Sequence, residues 1–340
     1  NLFEPINIMR SLILLCFLFI TSIQLSYSVH ADEPLSSIVN VKIPGFNEDG
    51  FLSWEIHASK VSPAGDDFFS AILPTIQIYR GQSIQSTAKT KSGNFKPKTG
   101  EAWGRERMEV TADGFHAKGE NWHWFNKSEL GLNQIIFKKG TMITFSRGLG
   151  GFFVFENRKS DSNCLPGDID VNNSKRADHQ LPTIAQADYL EFMSVEENNH
   201  RFLLEGNVSV EGNNLYLTCD KIELLFVNDA NGTSRQIGKI NTMEALGNVI
   251  LSQGGRKSYA NEMTLSVPEG IAELRGSSDG GTLARVVDEE WGEAVGEKII
   301  LVKGKRMAKV LSKSGRPRVI LPPIPDLGFD KISGQKKSKP

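Results

Sequence analysis

Between residues 182 and 312 the chain repeats itself at a spacing of 41 residues. Phe202 falls on Met243, Leu204 on Ala245, Gly206-Asn207-Val208 on Gly247-Asn248-Val249 and Val210 on Leu251. Further on, Asp220 falls on Asn261, Ile222 on Met263 and Leu224 on Leu265. Within each unit the apolar residues stand two apart, which is the period of a strand and not of a helix. Each unit therefore predicts one buried strand face, a connection and a second buried strand face. Such a unit cannot cover its own apolar face and has to stack on a neighbour. Residues 294–302 lack the 41-residue spacing, so the repeat counts two units.

The same alternation without the repeat runs through residues 38–151. Leu52, Trp54, Ile56 and Ala58 share one face of a predicted strand, while Ser53, Glu55 and His57 share the other. Ile76/Ile78, Phe115/Ala117 and Ile143/Phe145 continue the pattern. Asp49-Gly50 and Asp113-Gly114 predict tight hairpin turns, where positive φ angles are needed, as do Asn231-Gly232 and Asp279-Gly280 later on. Residues 152–181 are polar, turn-rich and without sustained period, and read as a linker. A chain of 340 residues suits two domains of about 100–200 residues each. The expected organisation is all-β: a first β domain at 38–151, a linker at 152–181, a second β domain at 182–312, and a disordered tail at 313–340.

The amino terminus predicts export. Met9 reads as the start; Arg10 precedes nine apolar residues at 12–20, and a polar stretch follows to Val29-His30-Ala31. A basic residue, a short apolar core and a small-x-small exit describe a secretory signal peptide, with cleavage expected after Ala31. The apolar stretch is shorter than the roughly 20 residues a spanning helix needs.

Composition removes several function classes. A net charge of −1, from 39 Lys+Arg against 40 Asp+Glu, gives no global field for collecting nucleic-acid phosphates. Three cysteines are too few for a disulfide-framed scaffold or a four-thiolate zinc site, although an exported chain could oxidise Cys164 and Cys219 to one bridge. The six histidines form no His-Glu-x-x-His motif, and no Gly-x-Ser-x-Gly or phosphate-cradling glycine loop occurs. Trp122-His123-Trp124 puts two indoles on one strand face and the imidazole on the other. The sequence thus predicts no catalytic residue, metal site or cofactor.

What remains is the apolar ladder. Alternation alone is met by an ordinary sandwich core filled by its own side chains. That plainer reading is the one alternation favours, but the pattern is also met by a folded sheet whose inner face has room for hydrocarbon, where each buried CH₂ contributes about 0.8 kcal/mol. The candidate inner face comprises Phe202, Leu204, Val208, Val210, Ile222, Leu224, Met243, Val249, Leu251, Met263 and Leu265. From Lys298 onward the chain carries 12 Lys/Arg and 2 Asp/Glu. Lys303, Lys305, Arg306 and Lys309 are candidates for anionic head groups, against the plainer reading of a solvated basic face.

Ala187-Asp188-Tyr189-Leu190-Glu191-Phe192, Phe202-Leu203-Leu204-Glu205-Gly206-Asn207-Val208 and Leu217-Thr218-Cys219-Asp220-Lys221-Ile222 together resemble the OstA-like domain of the periplasmic lipopolysaccharide transport family (LptA), over about 182–312. Ala245-Leu246-Gly247-Asn248-Val249 and Tyr259-Ala260-Asn261-Glu262 resemble its second unit. Residues 50–58, 112–119, Trp122 and Trp124 are similar to the LptC branch, which keeps a membrane anchor where this terminus reads as removable. The resemblance implies two open β-jellyrolls in tandem that hold lipid A acyl chains inside. It also implies partners of the same fold at the inner and outer membranes, docked strand edge to strand edge, head-to-tail self-association, and no catalysis. A glycan-binding or glycan-cleaving jellyroll, for which Trp122 and Trp124 are the candidate aromatics, and a self-associating β-stack without ligand are the alternatives.

Overall fold

The computed structural model describes residues 37–47, 49–127, 132–146, 182–195, 199–212, 214–227, 239–277, 281–290, 292–303, 308–312 and 316–321. Among them there is no helix, and 22 strands join in one sheet whose described pairings are all antiparallel. The first half supplies β1 (Ile38–Phe46), β2 (Leu52–Pro63), β3 (Phe69–Ile72), β4 (Thr75–Arg80), β5 (Ser83–Thr90), β6 (Ser92–Lys96), β7 (Glu101–Gly104), β8 (Met108–Ala112), β9 (Phe115–Lys127) and β10 (Leu132–Phe145). The second half supplies β11 (Thr183–Ala187), β12 (Tyr189–Val195), β13 (Asn199–Gly212), β14 (Leu215–Val227), β15 (Lys239–Gln253), β16 (Arg256–Ser266), β17 (Ile271–Arg275), β18 (Ala284–Asp288), β19 (Gly292–Gly296), β20 (Lys298–Val302), β21 (Ala308–Leu311) and β22 (Arg318–Ile320).

The sheet is folded over along a line of irregularities into two walls. Long strands pass through the fold line and short strands belong to one wall each. On β10 the register shifts between Lys139 and Met142, on β13 between Glu205 and Val208, and on β15 between Leu246 and Val249. Extra residues at such bulges bend a strand and increase its twist. The 41-residue repeat is visible here as geometry. Gly206 and Asn207 have φ of 77° and 48°, and Gly247 and Asn248 have 72° and 48°. Glycine adopts positive φ without steric cost, and asparagine tolerates it better than most residues. Each asparagine is also tied down, Asn207 Nδ2 donating to Asp188 Oδ2 at 2.7 Å and Asn248 Nδ2 to Asp220 Oδ2 at 3.0 Å.

Inside the fold the apolar side chains of each wall line up across the strands. In the first wall one row runs from Ile43 through Ile56, Ile76, Ala88, Val110 and Ala117 to Ile143. It crosses to Ala185 and continues through Val210, Leu217, Leu251, Ser258 and Val286 to Ala294. In the second wall a row runs from Trp124 through Ile135, Phe192, Phe202, Leu224, Met243, Leu265 and Ala272 to Leu301. Neither row breaks where the chain passes from residue 146 to 182, because β10 pairs with both β11 and β12. A ring cluster closes that joint: Phe115, Phe145, Phe192, Phe202 and Phe226 lie 4.9–5.5 Å from one another across their contacting pairs. Aromatic pairs at such spacings add about 0.5–1.5 kcal/mol each beyond simple burial.

Turn chemistry follows the sequence where it is described. Gly50 and Gly114 have φ of 79° and 108°, and the Phe51 amide donates to Asn47 Oδ1 at 2.8 Å. Asn231-Gly232, Asp279-Gly280, the leader and residues 152–181 lie outside the described residues. The expected tail contains one structured piece: β22 pairs with β19 through Ala294 opposite Val319. Proline at 317 and 322–323 brackets this short edge strand, where a missing amide donor costs no ladder bond.

Candidate functional site

The eleven candidate inner-face residues all lie inside the fold, none more than 4% exposed. Leu204 stands opposite Ile222 on β13 and β14, and Ala245 opposite Met263 on β15 and β16, the same pair one repeat later. Phe202 opposite Leu224 and Met243 opposite Leu265 are the next such pair. The sequence pattern therefore brings these side chains together on one continuous surface, and side chains from the opposing wall pack onto it. The interior is filled by its own residues, each large one contributing about 1.5–3 kcal/mol by burial.

Among the described residues the fold line alone ties the walls by backbone pairing. Among the described residues no ladder pairs β4, β5, β8, β11, β18, β19 or β22 with β3, β6, β7, β12, β17, β20 or β21. Among the described residues the seam away from the fold line is held by side-chain packing. Edge strands stand at either end: β1 exposes Ile38 and Val39, and β22 exposes Val319 and Ile320.

Two of the four basic candidates lie among the described residues. Lys303 sits in the turn after β20, its amide donating to Gly270 O at 2.7 Å. Lys309 stands opposite Ile300 on the outer side of β21, while Val310 packs inward. Lys305 and Arg306 lie outside the described residues.

Trp122 and Trp124 face inward as the alternation predicts, and are 2% and 1% exposed. Trp124 meets Trp54 of the other wall edge-on at 5.7 Å. They are thus not the surface aromatics that a glycan platform needs. A different outer groove, of about 720 Å³, has Tyr216, Tyr259, Arg256, Lys257, Arg285, Glu211 and Glu289 along it, with the Arg285 guanidinium 5.7 Å from the Tyr259 ring. Cys219 is a buried free thiol whose Sγ donates to Lys221 O at 3.3 Å; burial pushes it up to about 12. Cys164 lies outside the described residues.

Two polar features escaped the sequence reading. Glu55, on the strand face opposite Trp54 and Ile56, is buried beneath Lys42 (2.8 Å), His57 and Tyr79 (3.3 Å). Burial alone would raise its carboxyl, but Lys42 and His57 outweigh that and hold it below the usual carboxylate range. His200 lies beside Phe192 within the second wall, and burial, helped by the Arg80 charge, pushes its imidazole down to about 4. Neither has a sequence signal, since both positions obey the alternation of ordinary strands.

No protein-family model matches the sequence, and no curated protein matches it. Among solved structures the chain is similar to LptH from Pseudomonas aeruginosa, described as the LptA homologous periplasmic component of the conserved lipopolysaccharide transport device. That likeness has 18% identity and a TM-score of 0.32, and covers 42% of this chain and 96% of that one.

Proposed function

We propose that this protein is a periplasmic carrier segment for lipopolysaccharide, taking acyl chains between the two walls of its folded sheet and passing them from one half to the other. The observation that carries the reading is the unbroken pair of apolar rows across the joint, through Ile143–Ala185 in one wall and Ile135–Phe192 in the other. A purely structural sandwich has no need to keep one inner surface continuous through two modules. A conduit does. The resemblance of 182–312 to the OstA-like domain, and of the first half to LptC, supports the same reading.

Because the interior is self-filled, a guest enters by parting the walls along the seam that lacks backbone pairing, with the bulged line as hinge. Each acyl CH₂ then replaces side-chain packing rather than water, so the exchange runs near balance. Movement along the rows is driven from outside this chain. The exposed edges of β1 and β22 are the surfaces for neighbouring β-modules, by strand addition. Lys303 and Lys309 serve the solvated face in this reading.

A photoreactive residue at Val208, Val249 or Met263 tests it in living cells. Lipopolysaccharide adducts are expected at these enclosed positions. Adducts to protein alone would leave a structural β-stack. A second reading rests on the outer groove at Tyr216 and Tyr259, whose exposed ring and flanking Glu211 and Glu289 suit a glycan. It predicts soluble-sugar binding that Tyr216→Ala abolishes, with no adduct at 249.

A further inference from the structure

Among the described residues, five side-chain atoms are buried without a hydrogen-bond partner: Trp122 Nε1, Trp124 Nε1, His123 Nε2, Asn133 Oδ1 and His200 Nδ1. Such atoms are rare in folded proteins, because each forgoes its bond to water without a replacement. His123 belongs to the outer side, against Phe125 and Trp103. The other four share the inner face, on β9, β10 and β13, in an interior lined mostly by carbon, with Asn126, opposite Asn133, and Ser258 also buried.

Their placement is compact. Asn133 stands opposite Ser194, and Ser194 opposite His200. At about 4.8 Å between neighbouring strands, Asn133 and His200 lie about 10 Å apart. Trp124 stands opposite Ile135, two residues along β10 from Asn133 and so on the same face. Trp122 follows two residues before Trp124. Its ring lies in a slot cut by glycine: a Cβ at Gly104 would stand 2.8 Å from Nε1, and one at Gly93 would stand 2.7 Å from the ring. The Arg80 turn of the other wall carries its charge toward His200. The polar patch therefore sits in the second wall where the two halves join, in the path a transported chain would follow.

The atoms also specify a chemistry. An indole N–H only donates and a carboxamide oxygen only accepts. A guest that satisfies both needs an acceptor and a donor within one linkage. A hydrocarbon has neither, and an ether or ester has acceptors alone. A secondary amide has both, with its carbonyl for an indole and its N–H for Asn133 Oδ1. We infer that Trp122, Trp124, Asn133 and His200 form a polar subsite for the amide linkage of an N-acylated amphiphile, placed at the joint between the two halves. This rests on the carrier reading and adds to it a fixed resting point for the linkage while the acyl chain lies along the apolar row. Both indoles are enclosed, so the linkage reaches them only through the parted seam.

The experiment uses the full chain and two probes with the same hydrocarbon, N-dodecanoylglucosamine and dodecyl glucoside, which differ in having or lacking the amide. The unaltered protein is expected to prefer the amide probe about tenfold, the worth of one or two net hydrogen bonds. Replacing Trp122 and Trp124 together by benzothienylalanine, which keeps ring shape and removes both N–H groups, is expected to bring the two probes within about twofold of each other. Its thermal midpoint without probe is expected to hold or rise, because two unsatisfied donors are gone. Equal binding of both probes by the unaltered protein, or a preference that survives the replacement, overturns the inference. A fall in midpoint on replacement does so too, since the N–H groups would then have had internal partners. Lipopolysaccharide adducts at Val249 alongside such a result leave the carrier reading standing. Adducts to protein alone, with neither probe bound, remove both.

Discussion

Phe202 of the second half lies edge-on to Phe145 of the first, ring centroids 5.3 Å apart, and stands equally against Phe115 at 5.2 Å. One side chain thus belongs to the cores of both halves. Phe202→Ala is expected to cost about 3–5 kcal/mol, the range for emptying a well-packed phenylalanine site. Four of the five tryptophans, Trp54, Trp103, Trp122 and Trp124, lie in the first half and Trp291 in the second, so in a Trp291→Phe background the fluorescence of the Phe202→Ala variant should report the first half unfolding earlier in urea. If the tryptophan transition keeps its midpoint while a label on β15 moves, the halves are energetically separate and the shared cluster is incidental.

The two bends of the repeat make a paired prediction. Asn207 and Asn248 share φ of 48°, and each is held by an aspartate, Asp188 between β11 and β12 and Asp220 on β14. Asn207→Val places a β-branched side chain in the left-handed region and removes the bond to Asp188, and is expected to cost about 2–3 kcal/mol. Asn207→Gly loses the same bond but relieves the backbone, so it should cost under about 1 kcal/mol. The substitutions at Asn248 should match within about 0.5 kcal/mol, and the double variant should be additive. Thermal melts of the five variants and the unaltered protein check this. A large cost for Asn207→Gly would mean that the aspartate bond, and not the bend, sets the position.

Much of this architecture was legible because alternation and the 41-residue spacing are both consequences of burial. The side chains two apart in sequence, from Phe202 to Leu265, did come together on one inner surface, and Trp122 and Trp124 did share it. The joint was not legible: β10 pairs with β11 across residues 147–181, and nothing local in either strand encodes which strand lies beside it. Glu55 does share the face of Ser53 and His57, but its burial was not legible, because alternation assigns a face and not a depth; Lys42 and Tyr79 come from other strands to cover it. The orphaned atoms of Asn133 and His200 were equally invisible, since a polar residue at an inward position looks in sequence like a loop end or an edge.

On the outer face, Arg201 holds Glu223 with two parallel bonds, Nε to Oε1 at 2.7 Å and Nη2 to Oε2 at 2.8 Å, with Glu191 at 3.7 Å from Nη1. The side-chain bond from Arg201 is the main reason the Glu223 carboxyl lies below the usual range. Both partners are about one-third exposed, so water screens the attraction. A double-mutant cycle on Arg201→Met and Glu223→Gln is expected to give a coupling of about 0.5–1 kcal/mol. Since the folded carboxyl titrates lower than the unfolded one, this coupling is present above a pH of about 4.3 and fades as pH falls through the folded value. A coupling that survives at a pH of about 2 would exclude an ionic origin.

His200 sets the acid response near the joint. In the unfolded chain its imidazole titrates near about 6.5, whereas in the fold burial and then the Arg80 charge hold it at about 4. Between these values the unfolded chain binds the proton and the folded chain does not, so stability falls as pH drops through that window. From a pH of about 7 to about 5 the loss attributable to this residue is about 2 kcal/mol. The charged groups that bear on it are few: Arg80 comes from the opposite wall, and on its own wall the Phe192 ring covers it. His200→Phe removes the titration while keeping an aromatic ring against Phe192. Urea unfolding of both proteins at the two pH values isolates the effect, because the carboxylates of Glu55, Glu223 and Glu273 respond alike in each. The variant is expected to lose about 2 kcal/mol less than the unaltered protein over that interval. Equal losses would mean that the imidazole meets water or a partner in the folded chain, and that Asn133 and the two indoles mark the polar patch of the second wall without it.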